Sequence, residues 1–155
     1  MLKIASRVAA VSAATVVMGL IPLAGTSYAA GCYSTGCDNQ GPKGTGCESD
    51  AVGHGTVNNN GRIAELRWSN NCKAAWVRTT QTASPSWYSS YATIEKYNRA
   101  GKLLRSLSVD TPNTYNSSDW SNMLGGFGGD YFYRACVGFY KSSGAPYGVQ
   151  CTDKW

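Results

Sequence analysis

The stretch GRIAELRWSNNCKAAWVR, residues 61–78, predicts two antiparallel strands joined by a short polar turn. The first strand has the alternation of a half-buried strand. One face carries Ala64, Leu66 and Trp68, and the other carries Ile63, Glu65 and Arg67. Ser69 to Asn71 suit a turn, because short polar side chains bond nearby backbone and Asn tolerates positive φ. Ala74 and Trp76 then alternate with Lys73, Ala75 and Val77. We expect Trp68 and Trp76 to be core residues, and Cys72 to tie this hairpin to another segment.

Residues 1–29 have the pattern of a secretory signal peptide. Lys3 and Arg7 precede an uncharged, mostly apolar run over residues 8–24, and small residues lead up to Ala29. A retained membrane helix is the alternative, but the run is short and contains Gly19 and Pro22. A lipoprotein signal is weaker still, since lipidation of Cys32 would leave an odd number of cysteines. We therefore predict cleavage after residue 29 and a single secreted β domain over residues 30–155, with no stable membrane span.

The charge of the chain argues against a nucleic-acid partner. The formal net charge is +5, and it falls to +3 when Lys3 and Arg7 leave with the signal. The remaining basic residues are scattered singly and form no run. Gly, Ser, Thr, Asn and Tyr are abundant, which is typical of an extracellular strand-and-turn protein. We expect a monomer.

Six cysteines remain in the predicted mature chain: Cys32, Cys37, Cys47, Cys72, Cys136 and Cys151. An even number after an export signal indicates a disulfide framework, although six cysteines allow many connectivities. We expect Cys136–Cys151 across a terminal hairpin and Cys47–Cys72 between the loop region and the first hairpin, which leaves Cys32–Cys37. Zinc is the competing interpretation, but Cys32 and Cys37 lack the close spacing of a zinc knuckle, no second pair matches them, and the chain has a single histidine. We predict no metal and no cofactor.

The remaining pattern favours an all-β fold. Residues 31–61 look like loops with one short strand near residues 55–57, held by cysteines and not by a core of their own. Further strands are expected over residues 87–97, 102–109, 130–141 and 148–155, with 130–141 central because both its faces are apolar. Residues 115–124 are ambiguous, since Ser117 or Ser118 would also suit the start of a short helix. A flexible glycine loop is expected at 125–129. The fold class is thus a small disulfide-tied antiparallel β-sandwich or barrel with a cysteine-rich N-terminal loop region.

The cysteine order also carries a resemblance to a known family. The elements concerned are Gly31-Cys32-Tyr33, Cys37-Asp38, Pro42, Thr45-Gly46-Cys47, residues 65–69 and residues 72–78. Together they resemble the YjfA-like proteins, a family of small secreted proteins of Gram-positive bacteria known as a domain of unknown function. Asn70 stands where that family usually has proline, which affects only the turn type. The resemblance implies export and a cysteine-tied β domain, and it implies no activity.

Common hydrolytic sites do not emerge from the sequence. His54 is the only histidine and lies between glycines, where a solvated loop histidine is the simpler interpretation. It precedes Glu65 and Arg67, which is the wrong order for a small guanyl-specific ribonuclease. The acidic residues show no motif that would pair two carboxylates for glycoside hydrolysis or hold calcium. The serine-hydrolase motif Gly-x-Ser-x-Gly is absent. We therefore predict that the protein is not an enzyme.

The aromatic residues suggest binding. Trp and Tyr in turns of a secreted β protein can stack on sugar rings or anchor a protein partner. Trp87, Tyr88 and Trp120 are our candidate binding residues, and Tyr115, Tyr147 and Trp155 also lie in predicted turns or at an end. The favoured function is a non-catalytic extracellular module that binds a cell-wall glycan or an extracellular protein. The alternatives are a secreted inhibitor or competition factor, and a hydrolase with an unrecognised site.

Overall fold

A computed structural model describes residues 30–83 and 89–155 of the chain. The predicted signal peptide and the candidate residues Trp87 and Tyr88 lie outside the described residues. The described strands are β1 (Val52–Asn59), β2 (Arg62–Ser69), β3 (Ala74–Gln81), β4 (Ser90–Asn98), β5 (Leu103–Asp110), β6 (Ser118–Trp120), β7 (Leu124–Gly125), β8 (Tyr131–Tyr140) and β9 (Pro146–Cys151). Two short 3₁₀ helices, Ser34–Cys37 and Cys47–Asp50, precede them.

The strands form two antiparallel sheets that pack face to face. The first sheet has the order β1-β2-β3-β6, with β7 also paired to β3, and the second has the order β5-β4-β8-β9. Apolar side chains from the inner faces of both sheets form one cluster between them. The all-β prediction is therefore confirmed. The sequence left a sandwich and a barrel open, and the structure is a sandwich, because the two sheets of the described residues do not close into a barrel.

The hairpin predicted over residues 61–78 is present as β2 and β3. Ala64, Leu66 and Trp68 are buried in the cluster between the sheets, as their alternation predicted. Trp68 lies directly opposite Ala75 in the register. Directly paired residues share a face of a sheet, so Trp76 points away from Trp68. Both tryptophans are core residues, but they belong to cores on opposite faces of the first sheet.

The second core is built by the cysteine-rich segment, on the outer face of the first sheet. Its buried members are Cys37, Cys47, Cys72, Ala74, Trp76 and Met123. The expectation that this segment has no core of its own was wrong. β3 is apolar on both faces, so its outer face must also be buried, and the cysteine-rich segment packs against it. The segment also contains β1, a full eight-residue strand where only a short one was expected.

Residues 115–124 contain β6 and the first residue of β7 and no helix, so the helical alternative was wrong. β6 pairs with β3 in an antiparallel register that places Ser118 opposite Thr80. The hydroxyl groups of these two residues lie 2.7 Å apart, within hydrogen-bonding distance. Backbone hydrogen bonds to the free edge of β3 therefore stabilise a strand here, in place of the short helix that Ser117 or Ser118 could begin.

The second sheet follows the predicted pattern closely. β8 lies between β4 and β9, which confirms it as a central strand. Tyr133, Ala135 and Val137 are buried in the cluster between the sheets. The turn between β4 and β5 uses Gly101 with φ +80°, as expected for a hairpin loop.

All three predicted disulfides are present. The bridges are Cys32–Cys37, Cys47–Cys72 and Cys136–Cys151. Cys136 and Cys151 lie directly opposite each other in β8 and β9. The bridge therefore joins neighbouring strands, as the sequence predicted.

The expected glycine loop is held firmly where it begins. The Gly125 N–H donates to Asp38 Oδ1 at 2.7 Å, and the Gly125 carbonyl accepts from Lys96 Nζ at 2.5 Å. A side chain at position 125 would place its Cβ only 1.7 Å from the backbone oxygen of Ser34. Glycine is required here because the cysteine-rich segment approaches the backbone of β7 directly.

The Gly125→Ala substitution is expected to lower the free energy of unfolding by about 1–3 kcal/mol, because the added methyl group must push two backbones apart. Denaturant unfolding under non-reducing conditions measures the loss. Gly36→Ala is the matched control, since a Cβ at position 36 would meet nothing within 4 Å. The control should stay within about 0.5 kcal/mol of wild type. If wild type, Gly125→Ala and Gly36→Ala are equally stable, the backbone of Ser34 does not approach Gly125 as closely as the structure shows.

Candidate functional site

An aromatic pocket of about 290 Å³ lies at one end of the second sheet. Its lining consists of Arg99, Gly128, Gly129, Tyr131, Phe132, Tyr133 and Trp155. Four of these seven residues are aromatic, and one is a cation. This composition matches small-molecule sites, which are mostly apolar with a few polar groups that orient the ligand.

Three separate stretches of chain meet at the pocket. β4 ends at Asn98, so Arg99 is the first residue of the hairpin loop, and Asn98 lies opposite Tyr131 at the start of β8. The C-terminal residues continue beyond β9 along the same side of β8. There the N–H and carbonyl groups of Tyr133 and Trp155 exchange two hydrogen bonds of 2.9 Å. The backbone pairing fixes the position of the Trp155 ring beside the pocket.

Trp155 presents a supported but accessible indole ring. It remains 41% exposed, although its ring stacks on His54 with 3.6 Å between ring centroids. The ring of Trp68 packs against it in an edge-on arrangement, with 5.3 Å between the ring centroids. A flat ring that is supported from behind and open in front is a suitable platform for stacking on a planar or sugar ring.

His54 lies in β1 and packs against Trp155, so its assignment to a solvated loop was wrong. Burial lowers the pKa of the His54 imidazole, because a low-dielectric environment disfavours the charged form. Its Nε2 is buried without a hydrogen-bond partner among the described residues. A neutral ring in this position serves as packing support for Trp155.

Arg99 and Phe132 form the exposed side of the pocket. The Arg99 guanidinium lies 5.1 Å from the centroid of the Phe132 ring, within the range of a cation–π contact. Arg99 is exposed, and Phe132 is half-buried. On the inner side Tyr133 is almost fully buried, and burial raises the pKa of its phenol. Tyr133 is therefore neutral at physiological pH and adds apolar surface.

A cationic strip runs from the pocket along the outer face of the second sheet. Phe132 lies directly opposite Tyr97, so the two share this face. The ammonium group of Lys154 lies 3.8 Å from the centroid of the Tyr97 ring. Arg134 forms an ion pair with Glu95 at 2.6 Å, and Tyr97 donates its hydroxyl hydrogen to the same carboxylate. We define the cationic strip as Arg99, Arg134 and Lys154, whose three charges exceed the single charge of Glu95.

The titration of Tyr97 follows from its buried position against Arg134, Lys154 and Glu95. Burial, and then the hydrogen bond to Glu95, raise the pKa of Tyr97 to about 12. The phenol therefore keeps its proton at any physiological pH. The strip thus places cations beside the accessible aromatic rings of the pocket, a combination suited to an anionic ligand with flat apolar faces.

The sequence candidates do not lie at this pocket as far as the structure describes them. Trp120 was expected outside the strands, but it is the last residue of β6. Its half-buried ring packs against the second core, and the Lys43 ammonium lies 3.4 Å from the ring centroid. Of the aromatic residues that were named from their turn or terminal positions and that the structure describes, Trp155 is the one that lines the pocket. Tyr131 and Tyr133 lie in β8, where the apolar pattern predicted a central strand and gave no sign of a pocket.

The cellular location gains only general support. Three disulfides are compatible with an extracellular protein. Across residues 30–83 and 89–155, no helix has the length and apolar character needed to cross a membrane.

Comparison with known proteins yields a family and one distant structure. No curated protein matches the chain. A crystal structure of an endonuclease/exonuclease/phosphatase from Beutenbergia cavernae is similar at 14% sequence identity with a TM-score of 0.43. The match covers 67% of this chain and 27% of that one, so the chain spans about a quarter of that protein. Residues 35–126, more than half of the 155 residues, match the proteins of unknown function called DUF2690, and the chain therefore belongs to this family.

Proposed function

We propose that the protein is a secreted, non-catalytic binding module for an anionic cell-wall glycan, and that it acts outside a Gram-positive cell. The observation that carries the proposal is the aromatic pocket at Trp155 with the cationic strip beside it. Export and the relationship to YjfA-like proteins are part of the same proposal. They draw on the N-terminal apolar run and on the cysteine order.

The chemistry of the pocket favours a sugar ligand with negative charge. Indole and phenyl faces stack on the apolar faces of sugar rings, and Trp155 and Phe132 offer such faces. Arg99 can hold a carboxylate or phosphate with two parallel hydrogen bonds, which a lysine cannot do. Arg134 and Lys154 extend the positive potential along the sheet, so a polymer longer than the pocket gains further attraction.

The lining of the pocket supports binding over hydrolysis. A glycosidase needs two carboxyl groups flanking the scissile bond. The lining residues are two glycines, four aromatic residues and one arginine. The nearby carboxylate of Glu95 is already bonded to Arg134 and Tyr97.

Sedimentation with insoluble peptidoglycan and with whole wall extract tests the proposal. Wild type is expected to pellet at low salt and to release as ionic strength rises, because salt screens the cationic strip. Trp155→Ala and Arg99→Ala should each weaken binding by at least ~10-fold, about 1.4 kcal/mol. Tyr115→Ala is the matched control, since Tyr115 is 59% exposed and lies outside the pocket lining. The folded state of each variant is checked by thermal unfolding.

Two results would contradict the proposal at different levels. Wild type that stays in the supernatant at low salt would exclude wall binding. Wild type and both pocket variants that pellet equally would keep the wall as ligand but exclude the pocket. In that case Trp120→Ala, Trp87→Ala and Tyr88→Ala test the binding residues proposed from the sequence.

A further inference from the structure

Four cysteines of the second core converge in a way that the sequence spacing does not show. The sulfur atoms of Cys32, Cys37, Cys47 and Cys72 all lie within 4.8 Å of one another. These atoms belong to two different disulfides, which pack side by side. The spacing along the chain argued against zinc, because Cys32 and Cys37 lack zinc-knuckle spacing and no second pair matches them. The fold removes that objection by bringing all four sulfur atoms together.

The separation of the sulfur atoms fits a tetrahedral metal site. A Zn–S bond is about 2.3 Å long, so the sulfur atoms of a zinc tetrathiolate lie roughly 3.8 Å apart. Cys32 Sγ and Cys47 Sγ, which are not bonded to each other, are 3.7 Å apart. Opening the two disulfides requires each bonded pair of sulfur atoms to move apart by rather less than 2 Å to complete the tetrahedron.

The positions of the four cysteines do not depend on the bridges alone. The N–H of Ser34 donates to the Cys72 carbonyl at 2.7 Å, and the N–H of Asn39 donates to the Met123 carbonyl at 2.9 Å. The Trp76 ring and Met123 bury the inner side of the cluster. These contacts hold the ligand positions near one another when the sulfur atoms are no longer bonded in pairs.

The surroundings also suit thiolate ligands and the entry of an ion. Cys32 is half-buried, whereas the other three cysteines are fully buried, so an ion and a reductant reach the cluster on the Cys32 side. The Thr45 hydroxyl lies 3.0 Å from Cys47 Sγ and also within hydrogen-bonding distance of the Gly41 and Pro42 carbonyl oxygens, so its single proton can turn towards a thiolate at Cys47. Such outer hydrogen bonds orient a ligand and stabilise its negative charge.

We propose that the reduced form of this protein binds one thiophilic divalent cation, Zn²⁺ by preference, through Cys32, Cys37, Cys47 and Cys72. The two disulfides and the metal tetrathiolate are then alternative ways to close the same core. Reduction by a phosphine adds two electrons and two protons to each bridge and converts the phosphine, with water, into its oxide. Binding of Zn²⁺ releases the four thiol protons and leaves a tetrathiolate of net charge −2. This inference is independent of the proposed wall binding.

Cobalt titration of the reduced protein tests the site. The protein is reduced with a phosphine, desalted without oxygen and titrated with Co²⁺. We expect one Co²⁺ per chain, the visible ligand-field bands of a tetrahedral tetrathiolate, and loss of those bands when Zn²⁺ is added. The Cys136→Ser/Cys151→Ser double variant should keep the bands, because those residues form the separate third bridge. Cys32→Ser lacks one of the four ligands and should lose the tetrathiolate bands. This variant still forms the Cys47–Cys72 bridge when oxidised.

Alkylation of thiols gives a second readout. With Zn²⁺ bound, the four thiols of the site should be protected, and the reduced wild type should show at most two reactive thiols, since Cys151 is half-buried and Cys136 is almost fully buried. Reduced protein that unfolds without metal and refolds with Zn²⁺ would also support the site. Absence of the tetrathiolate bands from reduced wild type, folded or unfolded, would overturn the proposal. Unchanged bands in Cys32→Ser, or six reactive thiols with Zn²⁺ present, would overturn it as well.

Discussion

Trp76→Ala is expected to lower the free energy of unfolding by about 3–5 kcal/mol, the cost of a large cavity in a closed core. Trp76 is fully buried and is the largest buried side chain of the second core. Its loss removes the surface on which the cysteine-rich segment packs, while all three disulfides remain able to form. The segment should therefore loosen although it stays covalently attached.

Denaturant unfolding under non-reducing conditions measures this effect. Trp120→Ala is the matched control, because the half-buried Trp120 only borders the same core. We expect the control to lose clearly less stability than Trp76→Ala. A Trp76→Ala protein that melts within a degree or two of wild type would show that the second core contributes little.

Removal of the Cys47–Cys72 bridge is expected to lower the free energy of unfolding by ~3.5 kcal/mol. The two residues are separated by 25 positions, so the bridge strongly restricts the unfolded chain. The same chain-entropy argument gives ~2 kcal/mol for Cys32–Cys37, which are separated by only 5 positions. Replacing both cysteines of a bridge with serine avoids a free thiol that would exchange with the other bridges.

Comparison of the two double variants tests the argument. Both are unfolded in denaturant without reductant, and the difference between them should be about 1–2 kcal/mol. An equal loss in both would indicate that native packing around the sulfur atoms, and not loop length, determines the stabilisation.

Much of the fold follows from local pattern in the sequence. The alternation of Ala64, Leu66 and Trp68 identified β2 and its inner face, and the apolar run of β8 identified a central strand. The pairing of Cys136 with Cys151 followed from a turn between two expected strands. Each of these features depends on neighbours within one hairpin, where periodicity and turn chemistry determine the outcome.

What the sequence did not predict depends on register and on contacts between distant segments. The turn after Ser69 places Trp68 opposite Ala75, and this register puts Trp76 on the outer face. Periodicity shows that two faces exist, but not which segment covers the outer one. Ser118 carries an acceptable helix-start signal, and only the free edge of β3 makes it a strand residue.

The candidate site was missed for the same reason. Arg99, Tyr131 and Trp155 come from three stretches that meet only in the folded sheet. Tyr131 and Tyr133 share the periodicity of core residues, so their alternation along β8 gave no sign of a pocket. Trp155 was recognised as an aromatic residue at an end, but its support by His54 required the position of β1.

The position of β8 between β4 and β9 has a consequence for the order of folding. The hairpins β1–β2, β2–β3, β4–β5 and β8–β9 join strands that are neighbours in sequence, and such hairpins form in roughly 1–10 μs. Pairing of β4 with β8 must first close the long loop between Asn98 and Tyr131. Loop closure costs entropy before any contact repays it, so non-local pairing of this kind limits the folding rate. The chain therefore assembles from preformed hairpins, and weakening the contact between β4 and β8 should slow folding more than it speeds unfolding.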